Sequence, residues 1–577
     1  MRKRRTELGD VIPAPAEVWP DPAGGFRVGP DTGIRIVTAA AAAAPTAGTA
    51  TAGTATAPGD AGSAVAIAEQ LADLLRQATG HTIPISDTAG QIVIELIAGR
   101  GESGELAQSA ELAQSAEVAQ SAELAQSAEV AEVAQSGEGG QRGEGGQRGE
   151  GDQSGDVAQS GEAGHGAEGG ESYELTVTPD GLSICAGTAA GLFAAVQTVR
   201  QLVPVRGRGD VTIPGGRILD RPRFAYRGVM LDVARHHFPP DEVKAYVDAI
   251  AQFKINHLHL HLTDDQGWRI EIKSWPDLTT IGGGAGTGVD GAGPGFYTQD
   301  AYADLVAYAA TRFVTIVPEI DMPGHVNAAQ AAYPELAADR IAVAPRTDLA
   351  VGYSSLVIGR ERTYTFVEDV LREVAALTPG PYLHLGGDEA DATTPEDYRT
   401  FMTRVLPLVA RYGKRAIGWQ EMAAVDLPPG AVPQYWRIEP ADDGLARAAA
   451  NGNRLIMSPA DRTYLDMKYD PDSPLGLRWA GLIDVDRAYD WDPADRLPGV
   501  GEPSVLGVEA ALWSETLRSI TDVQVMTFPR LPAIAEIGWS PRNARSWESF
   551  RRRLAAHGPR WTAQGIAYHR SPKVDWD

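Results

Sequence analysis

Eight short runs of β-forming residues follow one another after residue 225, and stretches with helical periodicity separate them. Strands that alternate with helices are typical of parallel sheets, and eight of them predict a (β/α)8 barrel of the TIM type. The runs are YRGVMLDV (226–233), INHLHLHL (255–262), VTIVPEI (314–320), YLHLGGD (382–388), RAIGWQE (415–421), VPQYW (432–436), RLIMS (454–458) and VLGVEAALW (505–513).

The chain before the barrel has a different pattern, typical of a small α+β domain. GIRIVTA (33–39), QIVIELIAG (91–99) and ESYELTVTPDGLSICAG (171–187) are predicted strands. SAVAIAEQLADLLRQATG (63–80), which ends at Gly80, and TAAGLFAAVQTVRQLV (188–203) are predicted helices. The chain is therefore predicted to be an α/β protein with an α+β domain over residues 10–215 and a (β/α)8 barrel over residues 220–577.

A low-complexity insert interrupts the first domain over residues 101–171, where a six-residue repeat such as ELAQSA decays into GEGGQR. Six residues advance a helix by about 240°, so Leu106, Leu112 and Val118 would form no apolar stripe. The pattern loosely resembles hexapeptide β-helix repeats, but about five repeats are too few for a core. The insert is expected to be disordered or a solvated helix.

The net charge of −25 disfavours nucleic acid and anionic membranes as main partners. About half of that charge lies in the insert, which carries 15 Asp and Glu residues and two Arg. A single cysteine, Cys185, excludes an internal disulfide and a cysteine-based metal cluster. No apolar stretch follows the basic start MRKRR, and no run is long enough to span a membrane, so a cytoplasmic location is expected.

Polar and aromatic residues gather at or just beyond the ends of the predicted barrel strands, where TIM barrels place their active sites. They are Arg235, Asp264, Asp321, His325, Asp388, Glu389, Trp419, Trp436, Tyr464, Asp466, Trp513 and Glu515.

Three histidines, His257, His259 and His261, share one face of a strand because they are spaced by two. A His-x-His pair in a barrel could begin an amidohydrolase metal site, which also needs ligands on later strands. RAIGWQE and VPQYW offer no histidine. Histidines that hold hydrogen bonds inside the barrel are therefore the favoured interpretation.

Two further groups follow strand ends. Asp264 and Asp265 suit either an ordinary turn or a functional site at the active face of the barrel. Asp321 and His325 lie on a proline-bounded turn, where an Asp and a His near each other could alter the protonation of a third group. Trp419, Trp436 and Trp513 end strands on the predicted site face, and three flat side chains there favour a carbohydrate ligand.

Asp388 and Glu389 are adjacent, which is unexpected for a glycosidase. Glycosidases usually place two carboxylates on facing positions, about 5–5.5 Å apart in retaining enzymes and about 6.5–9.5 Å apart in inverting ones. Neighbours on one strand instead point to opposite faces.

With these residues the chain resembles the β-N-acetylhexosaminidases of glycoside hydrolase family 20 over nearly its whole length. The motifs that carry the resemblance are RGVMLDVARHHFP, HLHLHLTDDQGWR, VPEIDMPGH, HLGGDEA, GWQE, TYLDMKY and LWSET. The resemblance implies exo-acting removal of terminal β-linked GlcNAc or GalNAc from a small carbohydrate substrate, with no metal and no organic cofactor.

The resemblance also implies a role for each site residue. Glu389 would be the general acid/base, Asp388 would hold the acetamido N–H of the substrate, and Tyr464 would bond the acetamido carbonyl. Trp419, Trp436 and Trp513 would form a wall around the sugar, and Trp479 would lie near the next subsite. Arg235, Asp466 and Glu515 would bind the O3, O4 and O6 hydroxyls. Asp264 and His325 would support the catalytic pair from behind.

This family is an exception to the two-carboxylate rule because the substrate's own acetamido oxygen is the nucleophile. Three other interpretations stay open from the sequence: a non-catalytic sugar-binding barrel, a zinc amidohydrolase, and an ordinary retaining glycosidase that uses Glu421 or Glu515 as nucleophile. The sequence does not distinguish among a chitin fragment, a glycan, a peptidoglycan fragment and a GalNAc conjugate as substrate, and it gives no oligomeric state.

Overall fold

The computed structural model of the protein describes residues 7–38, 58–97, 170–205, 209–438 and 443–576. Its strands are β1 (Glu17–Val28), β2 (Ile34–Thr38), β3 (Ile85–Ser86), β4 (Ile92–Leu96), β5 (Tyr173–Thr178), β6 (Gly181–Ala186), β7 (Val211–Asp220), β8 (Tyr226–Asp232), β9 (His257–His261), β10 (Thr263–Asp264), β11 (Gly267–Trp268), β12 (Thr315–Glu319), β13 (Tyr382–His384), β14 (Arg415–Trp419), β15 (Val432–Tyr435), β16 (Leu455–Met457) and β17 (Val505–Leu512).

Fifteen α-helices lie in the described part of the chain. They are α1 (Pro58–Thr79), α2 (Ala189–Leu202), α3 (Pro240–Ala251), α4 (Asp277–Thr280), α5 (Gln299–Ala310), α6 (Asn327–Ala332), α7 (Glu361–Leu377), α8 (Pro395–Arg411), α9 (Asp443–Ala450), α10 (Ala460–Thr463), α11 (Val485–Tyr489), α12 (Ile520–Thr527), α13 (Arg530–Trp539), α14 (Trp547–Ala555) and α15 (His557–Gln564).

The N-terminal elements form a seven-stranded mixed sheet in the order β1-β7-β5-β6-β4-β2-β3, on which α1 and α2 pack. The predicted helices and strands are all present, and Gly80 ends α1 with a φ of 77°. Strands β1 and β7 were not predicted. β1 (EVWPDPAGGFRV) and β7 (VTIPGGRILD) both contain Pro and Gly, and their pairing shifts register between Asp21 and Phe26.

The predicted (β/α)8 barrel is confirmed. Eight parallel strands close in the order β12-β13-β14-β15-β16-β17-β8-β9, and each overlaps one of the eight predicted runs. A short hairpin of β10 and β11 follows β9 and carries Asp264 at the site end of the barrel. The barrel therefore brings the carboxyl ends of its strands, and the candidate residues beyond them, to one face.

Buried polar contacts join the N-terminal sheet to the barrel. Asp220, at the end of β7, accepts hydrogen bonds from Tyr173 (Oη, 2.7 Å), Lys254 (Nζ, 2.7 Å) and Trp539 (Nε1, 2.9 Å). We propose that the N-terminal sheet, up to the end of β7, and the barrel after it are two folding units joined through this cluster; the predicted limit at residue 215 lies inside β7.

The predicted low-complexity insert lies almost wholly outside the described residues. Its last two residues, Gly170 and Glu171, are described, and both carboxylate oxygens of Glu171 accept hydrogen bonds from Nη2 of buried Arg227, at 2.6 and 2.7 Å. Among the residues that the structure describes, no helix is long and apolar enough to cross a membrane.

Candidate active site

The turn after β13 carries Asp388 and Glu389, and its backbone explains how neighbours can face the same way. β13 ends at His384, so the pair lies beyond the strand, where alternation no longer applies. Gly386 and Gly387 have φ values of 65° and 94°, and Glu389 itself has 43°. The N–H of Gly387 donates to Asp321 Oδ1 at 2.9 Å and ties the turn to the end of β12.

The two glycines are required by space as well as by φ. A Cβ on Gly386 would lie 1.9 Å from Asp321 Oδ1, and one on Gly387 would lie 2.7 Å from Tyr398 Oη. Larger residues would therefore displace the turn and the carboxylates on it.

His325 reaches both members of the pair. Its Nε2 lies 3.9 Å from Asp388 Oδ2 and 3.7 Å from Glu389 Oε2, and its Nδ1 lies 3.2 Å from Asp264 Oδ1. Burial lowers the pKa of His325, but Asp264 and the other carboxylates around it raise that pKa well above its usual value. Asp264, His325 and the two carboxylates therefore lie in one row of neighbouring charged groups.

Asp388 and Glu389 have different surroundings. The Asp388 side chain is 9% exposed and its Oδ1 has no hydrogen-bond partner among the described residues, whereas the Glu389 side chain is 34% exposed. Burial, with the negative charges of Glu389 and Glu421, raises the pKa of Asp388 to about 7 against the effect of His325. An unpaired buried carboxyl at this place is suited to accept one directed N–H group.

Arg235 follows β8 and is fixed by acidic and amide groups. Its Nη2 lies 2.9 Å from Asp264 Oδ2, its Nε donates to Gln266 Oε1 at 3.0 Å, and its guanidinium lies 5.0 Å from the ring centroid of Trp513. Burial raises the pKa of Asp264, but Arg235 and His325 hold it well below its usual value. Arg235 therefore both lines the site and balances the charge beneath it.

Asp466 and Glu515 are buried carboxyl groups with oxygens that have no partner in the described part of the chain. Both oxygens of Asp466 and Oε2 of Glu515 are of this kind. Burial raises the pKa of Glu515 to about 7, and burial with the nearby Glu515 raises that of Asp466 well above its usual value. Such groups are costly unless a ligand supplies donors, which is the chemistry of sugar hydroxyls.

An aromatic wall stands beside the carboxylates. Trp419 and Trp513 have ring centroids 5.8 Å apart, and Trp436 stacks nearly parallel to Tyr464 at 6.4 Å. Trp479 meets the Tyr464 ring edge-on at 5.6 Å and is half exposed. The structure thus brings the predicted aromatic residues together, with Trp479 at the open side.

The histidines of β9 hold hydrogen bonds inside the barrel. His259 lies 2.9 Å from both Glu319 and Glu509, and His261 lies 2.6 Å from Glu319 and 2.7 Å from Asp264. His259, Glu319 and His384 each offer one possible metal-ligand atom, and these three atoms lie within 4.8 Å of one another, as a metal site would need. Glu319 lies 2.9 Å from His259 and 3.1 Å from His384, so buried carboxylate–histidine pairs account for this cluster equally well.

The sequence analysis did not assign Glu319 or Gln266 to the site, and it named Glu421 only as an alternative nucleophile, although all three shape the site. Glu319 accepts from Trp419 Nε1 at 3.0 Å, and Glu421 accepts from Trp436 Nε1 at 3.1 Å and from Arg437 at 2.8 Å. Gln266 Oε1 accepts a hydrogen bond from Arg235 Nε at 3.0 Å. Glu319 lies in the predicted strand VTIVPEI and Glu421 ends RAIGWQE. A charged residue in a mostly apolar strand is a signal that could have identified both.

Models of known families match most of the chain. Glycosyl hydrolase family 20, domain 2, matches residues 9–221, and the catalytic domain of the same family matches residues 224–398 and 391–542. The chain belongs to glycosyl hydrolase family 20. Membership in this family indicates a glycoside hydrolase and therefore disfavours two of the three alternatives left open by the sequence, the non-catalytic sugar-binding barrel and the zinc amidohydrolase.

Two curated hexosaminidases are similar in sequence to 69–70% of the chain. It is 44% identical over 406 residues to a beta-N-acetylhexosaminidase of Cellulomonas fimi, which covers 70% of this chain and 82% of that protein. A beta-hexosaminidase of Porphyromonas gingivalis is 36% identical over 425 residues, 69% of this chain and 54% of that protein.

Solved structures of the family cover this chain completely. The GH20 beta-N-acetylhexosaminidase of Streptomyces coelicolor A3(2) aligns with a TM-score of 0.81 at 42% identity over 100% of both chains. A mutant Streptomyces plicatus beta-hexosaminidase in complex with its product GlcNAc gives the same TM-score and identity over 100% of this chain and 99% of that one.

Proposed function

We propose that the protein is an exo-acting β-N-acetylhexosaminidase that removes terminal, non-reducing β-linked GlcNAc or GalNAc with retention of configuration. The observation that carries the proposal is the contact of one histidine, His325, with two adjacent carboxylates, Asp388 and Glu389, on one turn. A reaction with a protein nucleophile needs carboxylates on facing positions, whereas a reaction in which the substrate supplies the nucleophile needs one acid and one stabiliser.

In the first step the acetamido oxygen of the substrate forms a bond to the anomeric carbon while the glycosidic bond breaks. Glu389 gives its proton to the leaving oxygen, and ionised Asp388 accepts the acetamido N–H as positive charge develops on the oxazolinium. In the second step Glu389 takes a proton from water, which opens the oxazolinium at the anomeric carbon. Two inversions at that carbon give net retention.

The remaining roles follow from chemistry and position. Tyr464 would donate its hydroxyl proton to the acetamido carbonyl, and Trp419, Trp436 and Trp513 would cover the apolar faces of the sugar and its acetyl group. Arg235, Asp466 and Glu515 would bind the O3, O4 and O6 hydroxyls. The complex of the Streptomyces plicatus relative with GlcNAc supports a sugar of this kind as ligand.

An ordinary retaining mechanism would need Glu421 or Glu515 as nucleophile. Glu421 is held by Trp436 and Arg437, and burial raises its pKa. Burial raises the pKa of Glu515 to about 7, so a part of this group is protonated at neutral pH and cannot attack. Neither surrounding favours this second mechanism.

Hydrolysis of matched aryl β-glycosides of GlcNAc, GalNAc and glucose tests the proposal. We expect the two acetamido sugars to be cleaved and the glucoside to be cleaved far more slowly, because it lacks the internal nucleophile. Equal rates on the glucoside would require a protein nucleophile. The cytoplasmic location stays a prediction, which cell fractionation would test.

A further inference from the structure

A cavity of about 590 Å³ lies at the end of the barrel opposite the candidate active site. Its lining includes the first residues of five barrel strands, since Tyr226, His257, Thr315, Tyr382 and Arg415 begin β8, β9, β12, β13 and β14. The candidate active site is at the other, carboxyl ends of these strands. Cavities of about 300–1,000 Å³ are typical of sites for small molecules, so this one has room for a ligand.

Aromatic rings contribute much of the lining. The rings of Tyr226 and His257 stack with their centroids 4.0 Å apart, and the Tyr382 ring meets that of Tyr226 edge-on at 6.2 Å. Both tyrosine hydroxyls have partners within the protein, because Tyr226 donates to Glu509 Oε2 at 2.5 Å and Tyr382 accepts from Arg415 Nη2 at 3.1 Å. Apolar side chains complete the lining: Val306, Phe313, Ile316 and Leu506. The cavity therefore suits a flat apolar ligand.

The charged groups around the cavity favour an anion, although the net charge of the protein is −25. Glu171 is the one carboxylate among the described lining residues, and Arg227 donates to both of its oxygens at 2.6 and 2.7 Å. The Arg415 guanidinium lies 4.6 Å from the centroid of the Tyr382 ring, and within the described part of the chain it forms no ion pair with a carboxylate. Burial, with the charges of Arg227 and Arg415, lowers the pKa of His257 to about 3. Arg415 is therefore a cation that a ligand carboxylate could pair with.

We infer that this cavity binds an aromatic carboxylate, with the ring against Tyr226, His257 and Tyr382 and the carboxylate paired with Arg415. Arg415 is exposed, so the carboxylate would lie at the opening and the ring inside. The stacked rings favour an aromatic body over an alkyl chain, and the cation favours an acid over its neutral amide. The inference goes beyond the proposed function and does not depend on it.

The test uses 2-naphthoate and its neutral counterpart 2-naphthamide, which share one ring system and differ in charge. Isothermal titration calorimetry on the full chain measures the binding of each. In Arg415→Gln we expect the affinity for 2-naphthoate to fall about tenfold and that for 2-naphthamide to change less than about twofold, because only the acid loses an ion pair. Arg404→Gln is the matched control, since Arg404 on α8 also lies over a tyrosine ring, that of Tyr364, but outside the cavity. It should bind both compounds as the parent does.

A second variant tests the space itself. Ala190, half-buried near the start of α2, lines the cavity, and Ala190→Leu would fill part of it with a residue that favours helix. Both compounds should then bind at least about tenfold more weakly, while the cooperative thermal unfolding of the variant is retained. If Ala190→Leu does not unfold cooperatively, the comparison of Arg415→Gln with Arg404→Gln decides alone.

A saturating thiazoline mimic of the reaction intermediate should leave the binding of 2-naphthoate unchanged, because the two sites lie at opposite ends of the barrel. Competition between them would overturn the inference, as would no binding of 2-naphthoate to the parent or equal affinities for it in Arg415→Gln and the parent. Tighter binding of decanoate than of 2-naphthoate would refute the aromatic assignment. Binding that appears only after residues 101–169 are replaced by a linker would also overturn the inference and assign the cavity to the insert.

Discussion

Oδ1 of Asp388 has no hydrogen-bond partner among the described residues, while Nε2 of His325 stands 3.9 Å from Oδ2 of the same carboxyl. A cation therefore supports one oxygen of Asp388 and leaves the other available. This arrangement permits Asp388 to ionise when a substrate N–H arrives, although burial opposes its charge.

The first prediction concerns Asp388→Asn. If the charge of Asp388 stabilises the oxazolinium, kcat should fall by about 10²–10³-fold while KM changes far less, since the contact strengthens in the transition state. Steady-state kinetics on an aryl GlcNAc glycoside measure both constants. A near-normal kcat would contradict the role of Asp388 and would require a search for a protein nucleophile such as Glu515.

The second prediction concerns the pH dependence of the parent enzyme. Asp388 acts as the ionised group and its pKa in the free protein is about 7, so kcat/KM should rise with pH through about 7. Asp388→Asn has no such titration, and the rising limb near pH 7 should be absent from its profile. An identical limb in both proteins would assign it to another group.

The third prediction concerns Arg235→Ala. The substitution removes a hydroxyl-binding group and also leaves Asp264 and Asp232 with one fewer cation in a buried site. We expect a large loss of kcat/KM together with a loss of about 3–5 kcal/mol in the free energy of unfolding. Urea unfolding measures the second quantity. Arg235 would be removed from the site if the variant kept both its kcat/KM and its stability.

The fourth prediction concerns the low-complexity insert. Replacing residues 101–169 by a short Gly/Ser linker should leave activity and Tm nearly unchanged, because long surface insertions cost little free energy. Extending the replacement to Glu171 should lower Tm, since buried Arg227 would lose its bidentate partner. Thermal unfolding of the two deletions is the measurement. A Tm lowered by many degrees in the shorter deletion would mean that the repeat packs on a domain.

The fifth prediction concerns the contact between the sheet and the barrel. Asp220→Ala leaves buried Lys254 without its carboxylate, and removing one partner of a buried ion pair costs about 3–5 kcal/mol. Asp304→Ala is the matched control because it removes the partner of the more exposed Lys244 and should cost under about 1 kcal/mol. Equal losses of stability in the two variants would contradict the structural role of Asp220.

The sequence by itself determined the eight barrel strands and the residues beyond their ends. Short apolar runs bounded by polar turns are a local signal, and eight of them alternating with helices favour a closed barrel over an open parallel sheet. The adjacency of Asp388 and Glu389 is likewise a fact of sequence. Strands β1 and β7 were not predicted because Pro and Gly inside them weaken the local strand pattern. Their pairing with each other, which joins residues distant in sequence, stabilises them.

Only the tertiary structure decided which charges meet. Asp264 contacts Arg235, His261 and His325, which lie after β8, at the end of β9 and on the turn after β12. The turn at Gly386 and Gly387 brings both carboxylates to His325, where strand geometry would have separated them. These contacts join residues distant in sequence, and the energy of a buried charge depends on all of its neighbours at once, so no local pattern encodes them.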